Sequence, residues 1–186
     1  MLFNNVVLAA TALFGFAVAS PIAAPVQELA LPRQAATIKA SLLATEQEVI
    51  KLRDAFAAST GTDPAEVTAI RAQSDVVLAA VQSSTAVVQA SPNLTLVEVL
   101  GFATTVQQLQ RTLDSTIDVV IAKKPQVDEL GLTAEVRDKL TQQKAAINTF
   151  GTVLLTKVPT AAKSIAQGYI NNFNASFDRA IAAYTS

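Results

Sequence analysis

Five segments of the chain repeat apolar residues at alternating steps of three and four, and this spacing constrains the fold more than any other feature. It is the spacing of an α-helix with one buried side. The segments are separated by Gly61, Pro92, Pro125 and Pro159. The pattern predicts an all-α fold, a single-domain antiparallel bundle of five helices of roughly 22 to 28 residues, each about 33 to 42 Å long.

Capping sequences mark where several of these helices begin. Asp63-Pro64-Ala65-Glu66 combines an acidic cap, a proline at the first helical position and a glutamate three residues after the cap. Thr95-Leu96-Val97-Glu98 has the spacing of a capping box. The first helix is expected from Gln34, the fourth from Thr133 and the fifth from about Thr160 to Tyr184, and Pro125 is expected to end the third.

The first residues have the features of an export signal. No charged side chain occurs in residues 1–20, and the apolar run from Val6 to Val18 is shorter than the roughly 20 residues that cross a bilayer. Ala17-Val18-Ala19 follows, a tripeptide that signal peptidase accepts. We expect a signal peptide at 1–19, a flexible leader at 20–33 and one helical domain at 34–186. The chain is then secreted, without a transmembrane segment.

Export exposes two sequons for N-glycosylation, at Asn93 and Asn174. Asn93 lies in a predicted loop between helices, where an acceptor is accessible. Asn174 lies inside the last predicted helix, between two phenylalanines, which disfavours its modification.

Composition excludes several classes of function. The sequence contains no His and no Cys, so the usual ligands of zinc and the usual bases of serine and cysteine hydrolases are absent. No G-x-S-x-G motif occurs, and a net charge of −1 without a long basic run disfavours nucleic acid binding. Asp114 and Asp118 share one helix face beside Arg111, where a solvated surface is the expected reading. We therefore predict a protein that is not an enzyme and has no cofactor and no metal.

The stripes, by which we mean the residues on the predicted buried side of each helix, are mainly Val, Ala, Ile and Leu, with Ser, Thr and Gln among them. Side chains this small permit two arrangements in a long bundle: closely packed helices around an ordinary core, or a tunnel wide enough for an acyl chain. Polar residues within the stripes could hold a carboxylate, or could bond back to their own helix. The candidates are Thr45, Ser74, Thr105 and Gln143.

Several stretches resemble the hydrophobic surface binding protein A family, which includes fungal cell wall galactomannoproteins. They are the run from Lys123 to Leu132, Phe150, Lys157-Val158-Pro159, and the run from Phe177 to Tyr184. The resemblance extends from about residue 36 to residue 184. It implies a secreted helical fold that adsorbs to hydrophobic surfaces and recruits polyester-degrading hydrolases in some members, and holds long-chain fatty acids in others.

The sequence departs from the larger wall mannoproteins of the family. From the 186 residues we expect one domain, without a Ser/Thr-rich stalk and without a hydrophobic tail for a lipid anchor. We therefore expect a monomeric, secreted, extracellular protein whose association with the cell wall, if any, is noncovalent.

Two hypotheses follow for its function. In the first, a long-chain fatty acid or another apolar ligand lies between the helices, against Leu52, Phe56, Val77, Val81, Phe102, Val106, Leu109, Phe150, Leu154, Tyr169 and Phe173, with Ser74, Thr105 and Gln143 as carboxylate-holding candidates. In the second, the amphipathic helices open onto hydrophobic surfaces, where a secreted hydrolase is a possible partner. Stoichiometry distinguishes them, because a cavity saturates near one ligand per chain whereas adsorption scales with surface area.

Overall fold

The computed structural model describes residues 33–185. The expected signal peptide and all of the expected leader except Arg33 lie outside the described residues. The helices are α1 (Arg33–Ala58), α2 (Pro64–Ala90), α3 (Leu96–Ala122), α4 (Lys124–Glu129), α5 (Thr133–Lys157) and α6 (Thr160–Ala183). This confirms the all-α bundle of five long helices, which have 24 to 27 residues.

The predicted caps of α2 and α3 form as the sequence indicates. Asp63 accepts a hydrogen bond from the backbone N–H of Ala65, and a proline follows it in the first turn. The Thr95 side chain accepts from the backbone N–H of Glu98, while the Glu98 carboxylate accepts from the backbone N–H and hydroxyl of Thr95. Each cap satisfies backbone donors that a helix start otherwise leaves unpaired.

The region around Pro125 differs from the prediction. α3 ends at Ala122, but the chain then forms the six-residue helix α4 with Pro125 in its first turn. Proline is compatible with that position, because backbone N–H groups of the first turn have no acceptor within the helix. A proline that ends one helix can therefore begin the next.

The five long helices form a closed ring. α1 packs on α2 and α3, α5 packs on α2 and α6, and α3 packs on α6. Successive long helices run in opposite directions, so the packed pairs α1–α3, α2–α5 and α3–α6 are parallel. No other pair of long helices among residues 33–185 packs extensively. The apolar side of every helix therefore faces a common interior.

Hydrogen bonds between loops close the two ends of the ring. At the end that we call the base, the backbone N–H of Leu94 donates to the carbonyl of Lys157 (2.8 Å), and Lys157 Nζ donates to the carbonyl of Ser91 (2.7 Å). At the opposite end, the crown, Lys123 Nζ donates to the carbonyl of Ser59 (2.7 Å). Both ends are thus held by bonds between segments distant in sequence.

Two glycines in helices occupy contrasting positions. Gly151 of α5 faces α6 so closely that a Cβ atom would lie 2.8 Å from both Cδ1 and Cγ1 of Ile170. Gly168 of α6 has nothing within 4 Å of the same added atom. A glycine in a helix interior lowers stability by about 1 kcal/mol relative to alanine. The close contact with Ile170 explains why a glycine nevertheless occupies position 151.

We expect Gly151→Ala to destabilise the fold by about 1 kcal/mol, because overpacking of about 1–3 kcal/mol exceeds the gain in helix propensity. Gly168→Ala should instead stabilise the fold by up to about 1 kcal/mol. Urea unfolding of both variants measures the difference. Ile170→Ala should lower the free energy of unfolding less in the Gly151→Ala background than in the wild type. Equal losses in the two backgrounds would contradict the proposed contact.

Tyr184 anchors the end of α6 in the core. Its side chain is 1% exposed and its hydroxyl donates to the carbonyl of Val120 at 2.7 Å. Burial, and secondarily the negative charge of Asp128, raise the pKa of Tyr184 from 10.0 to about 12. Ionisation is therefore easier in the unfolded chain than in the folded one.

This pKa shift predicts a loss of stability at alkaline pH. Below pH 10 the phenol is protonated in both states, so its contribution is constant. Between pH 10 and pH 12 only the unfolded chain loses the proton, and the free energy of unfolding should fall by about 1.4 kcal/mol per pH unit. Tyr184→Phe should remove this component from urea midpoints measured across the range. An identical alkaline slope in the variant would refute the assignment.

One residue of the predicted stripe of α6 is placed differently. The helical spacing of the sequence predicts Ile165 on the buried side of this helix together with Tyr169 and Phe173, but it is 43% exposed, and the neighbouring Ala162 and Ala166 are buried instead. Small residues at these positions let α6 approach the ring closely. The spacing of apolar residues predicts the helix, but the residue that lies at the middle of its buried side depends on the helices packed against it.

Candidate functional site: an apolar channel

Two cavities lie in line inside the ring. The base cavity has a volume of about 60 Å³ and the crown cavity about 90 Å³. They meet at a waist, which we define as Thr45, Val81, Leu109, Ile147 and Phe173, one residue from each long helix, each of which lines both cavities. From Val99 to Val120 of α3 the channel extends about 30 Å at 1.5 Å per residue.

Apolar atoms form most of the surface of both cavities. A water molecule needs only about 10–15 Å³ of such space but also needs several polar partners, which this wall rarely provides. A cavity of this kind favours an apolar ligand over water. The lining of the two cavities therefore favours apolar atoms over water.

The structure places all eleven apolar residues proposed from the sequence along this channel. Those that line the crown cavity are Leu52, Phe56 and Val77, and those that line the base cavity are Phe102, Val106, Phe150, Leu154 and Tyr169. Val81, Leu109 and Phe173 belong to the waist and line both. The helical pattern brings these residues together because the buried sides of all five helices share one interior.

The carboxylate-holding candidates separate into two groups. Ser74 and Gln143 both line the crown cavity, and Gln143 Nε2 donates to Ser74 Oγ at 3.1 Å. Thr105 is buried at 6% exposure, but it does not line either cavity. Of these three candidates, Ser74 and Gln143 line the channel and Thr105 does not.

The Ser74 hydroxyl has a free donor. It accepts a hydrogen bond from Gln143 and donates none to a residue in 33–185. Ser74 lies on α2 and Gln143 on the parallel neighbour α5, and the two side chains form a polar pair in the wall of the crown cavity. A buried hydroxyl without an acceptor is a favourable partner for a ligand oxygen.

The hydroxyls beside the base cavity are satisfied within the protein. Thr45 Oγ1 lies 3.0 Å from Ser84 Oγ, and both oxygens lie within reach of the carbonyl of Ser41, at 3.0 and 3.2 Å. The hydroxyl protons of Thr45 and Ser84 are therefore both used, one by the carbonyl of Ser41 and one by the other hydroxyl, and neither is left to donate to a ligand. This pair ties α1 to α2.

A charged seam that the sequence did not reveal lies beside the crown cavity. Arg71 donates to both carboxylate oxygens of Glu135, at 2.5 and 2.6 Å, and Lys139 pairs with Asp75. The hydrogen bond from Arg71 lowers the pKa of Glu135. Arg71, Glu135 and Lys139 line the cavity. In the sequence, the indication that Arg71 lies near the interior is its position next to Ile70, which belongs to the apolar spacing of α2.

The acidic pair on α3 has a structural role in the fold. Asp114 accepts hydrogen bonds from Ser176 (2.5 Å) and Gln110 (3.1 Å), and Asp118 accepts from Arg179 (2.7 Å). The bonds from Ser176 and Arg179 connect α3 to α6. Within residues 33–185 no group of acidic side chains is arranged to hold a metal ion, and no helix has the length and apolar content to cross a membrane.

The two sequons differ in accessibility. Asn93 is exposed in the loop between α2 and α3. Asn174 is partly buried in α6, where its Nδ2 atom donates to Asn148 Oδ1 at 2.7 Å and its Oδ1 atom is buried. Glycosylation at Asn174 would require this amide to leave its contact.

Comparison with known proteins relates this architecture to one family. The model of the family "Hydrophobic surface binding protein A" matches residues 35–156. Cell wall mannoprotein 1 of Aspergillus flavus is 28% identical over 133 residues, which cover 72% of this chain and 48% of that protein. The protein of the same name from Aspergillus fumigatus is 25% identical, with 72% and 46% covered. The chain thus spans about half the length of these curated relatives.

Solved structures share the fold at lower identity. Ligand binding domain 1 of the Penicillium marneffei MP1 protein, complexed with arachidonic acids, superposes with a TM-score of 0.77 at 22% identity, covering 82% of this chain and 99% of that chain. The protein AFMP4P in complex with palmitic acid gives a TM-score of 0.77 at 23% identity, covering 81% and 99%. Both are helical domains of nearly the same extent as the ring described above.

Proposed function

The chain belongs to the hydrophobic surface binding protein A family, and from this premise we propose that it is a secreted carrier that holds one long-chain fatty acid inside its helical ring. The observation that carries the proposal is the pair of adjoining, mainly apolar cavities that meet at the waist, with the Ser74–Gln143 pair in the wall of the crown cavity. The acyl chain would pass the waist, and the carboxylate would accept hydrogen bonds from that pair. The protein would act by binding, without chemistry.

The energetics are favourable for such a ligand. Each methylene transferred from water into the channel gains about 0.8 kcal/mol. A chain of about 14 to 20 carbons would therefore bind at micromolar concentration or better after ordering costs. The complexes of MP1 with arachidonic acids and of AFMP4P with palmitic acid are consistent with this ligand class.

We place the protein outside the cell, free or in noncovalent contact with the wall. The export signal read from the sequence and the similarity to cell wall mannoproteins support this location. Asn93 is the sequon that we expect to be occupied. Asn93→Gln should abolish the shift in mass that deglycosylation causes in the secreted protein, whereas Asn174→Gln should leave it unchanged; the reverse result would contradict this assignment.

The proposal is tested by identifying what the protein carries. The chain is purified from a secretion host, and its bound lipids are extracted with organic solvent and quantified by mass spectrometry. We expect a fatty acid at about one per chain. A protein that is free of lipid, takes up no added palmitic acid and still depletes onto hydrophobic beads would overturn the proposal in favour of surface adsorption.

A further inference from the structure

The base carries a cluster of exposed apolar side chains. Within residues 33–185 the exposed large hydrophobic residues at this end are Leu96 (42% exposed), Val97 (59%), Leu100 (54%) and Ile165 (43%). The first three lie in the first two turns of α3, and Ile165 lies in the second turn of α6, its parallel neighbour. We call these four residues the apolar tip. The other large exposed hydrophobic residues, Leu43, Val76 and Leu130, lie on separate elements.

The apolar tip is continuous with the channel. Leu100 and Ile165 line the base cavity while more than two fifths of each side chain remains exposed. The cavity therefore reaches the surface between the starts of α3 and α6. A ligand that enters or leaves by this route passes directly over the tip.

The base carries an excess of positive charge. The segments that build the base, 34–45, 84–106 and 150–172, contain Lys39, Lys157, Lys163 and a single acidic residue, Glu98. Glu98 is 4% exposed, and its carboxylate is engaged in the α3 capping box. The remainder of residues 34–185 has the opposite balance, with 10 basic and 13 acidic residues.

Two of the lysines are available to a partner. Lys157 donates to the carbonyl of Ser91. Neither Lys39 nor Lys163 takes part in an ion pair with any residue in 33–185. Their charge is therefore not neutralised within the described part of the chain.

We propose that the base docks on the surface of an anionic lipid bilayer, with the apolar tip in the headgroup region and Lys39 and Lys163 against anionic headgroups. Apolar contact with the headgroup region and basic residues near the surface both favour binding to an anionic bilayer. Docking would place the mouth of the base cavity on the lipid. This inference rests on the proposed fatty acid binding, for which it supplies the entry route.

The charge of the base favours an anionic bilayer over other partners for the apolar tip. A second copy related by a twofold axis would bring the same lysines together, which is unfavourable. An uncharged apolar surface would gain nothing from the lysines. An anionic bilayer matches both features, because it offers an apolar interior beneath a negatively charged surface.

The test is flotation of the full secreted chain with vesicles of phosphatidylcholine, with and without phosphatidylglycerol. We expect binding that requires phosphatidylglycerol and weakens with added salt. Leu96→Gln combined with Val97→Gln should lower the partition coefficient about tenfold or more. Lys39→Gln combined with Lys163→Gln should lower it to a similar extent on the anionic vesicles alone.

A matched control is Val76→Gln combined with Leu130→Gln, which removes comparable exposed apolar groups elsewhere and should leave vesicle binding unchanged. Equal losses in the control and the tip variant, binding that does not depend on phosphatidylglycerol, or a dimer that the tip variant dissociates would each overturn the proposal.

Palmitic acid affinity, measured in solution on the same proteins, separates this inference from the proposed function. Leu96 and Val97 do not line either cavity, so their replacement should not change this affinity. Fatty acid binding without vesicle binding would refute the docking alone. Vesicle binding through the tip without fatty acid binding would refute the proposed function and leave the docking surface without its role as an entry route.

Discussion

Val81→Phe is expected to weaken the binding of palmitic acid roughly 100-fold while leaving octanoic acid nearly unaffected. Val81 lies at the waist, where the base and crown cavities meet, and it is 6% exposed. A phenyl ring there would separate the channel into two short chambers. Excluding about four methylenes costs about 3 kcal/mol at 0.8 kcal/mol each, which corresponds to the stated loss in affinity.

Isothermal titration of the lipid-free protein measures both affinities. Val76→Phe is the control. Val76 lies on the same helix at 45% exposure, so its replacement should change neither the palmitic acid affinity nor the octanoic acid affinity. Urea unfolding of the unliganded variant shows whether the larger side chain strains the ring. If palmitic acid bound Val81→Phe as tightly as the wild type, the acyl chain would not pass the waist and the channel would not be its binding site.

Local sequence rules predicted most of the fold because they act within a few residues. The caps at Asp63 and Thr95 are decided by side chains that bond backbone donors two or three residues away. The same rules were insufficient at Pro125, where a proline fits either a helix end or a first turn. Choosing between these outcomes depends on tertiary contacts.

The site was predictable in its apolar part and not in its polar part. Residues on the buried side of any helix must face the interior, so the periodicity was enough to place Phe102 or Leu154 along the channel. Polar contacts depend on which helices are neighbours. The pairing of Ser74 with Gln143, and of Arg71 with Glu135, requires α2 and α5 to pack in parallel, and the short loops of the sequence do not specify this order.

Gln143→Leu is expected to weaken palmitic acid binding roughly 10- to 100-fold and to leave methyl palmitate binding nearly unchanged. Gln143 and Ser74 line the crown cavity from two neighbouring helices, and the Ser74 hydroxyl donates its proton to no residue in 33–185. Hydrogen bonds to a charged group contribute about 1.5–3 kcal/mol each, and an ester has no charge to stabilise. Leucine keeps the approximate volume of the side chain and removes only its polar group.

Thr105→Val is the matched control, since Thr105 is equally buried but does not line the channel, and its replacement should not discriminate between acid and ester. Ser74→Ala should reproduce the selectivity of Gln143→Leu, because both substitutions remove a donor to the same carboxylate. Equal losses for acid and ester would mean that the pair supports the α2–α5 contact and does not bind the carboxylate. No loss for either ligand would place the carboxylate elsewhere, and the charged seam of Arg71 and Lys139 beside the same cavity would be the next position to alter.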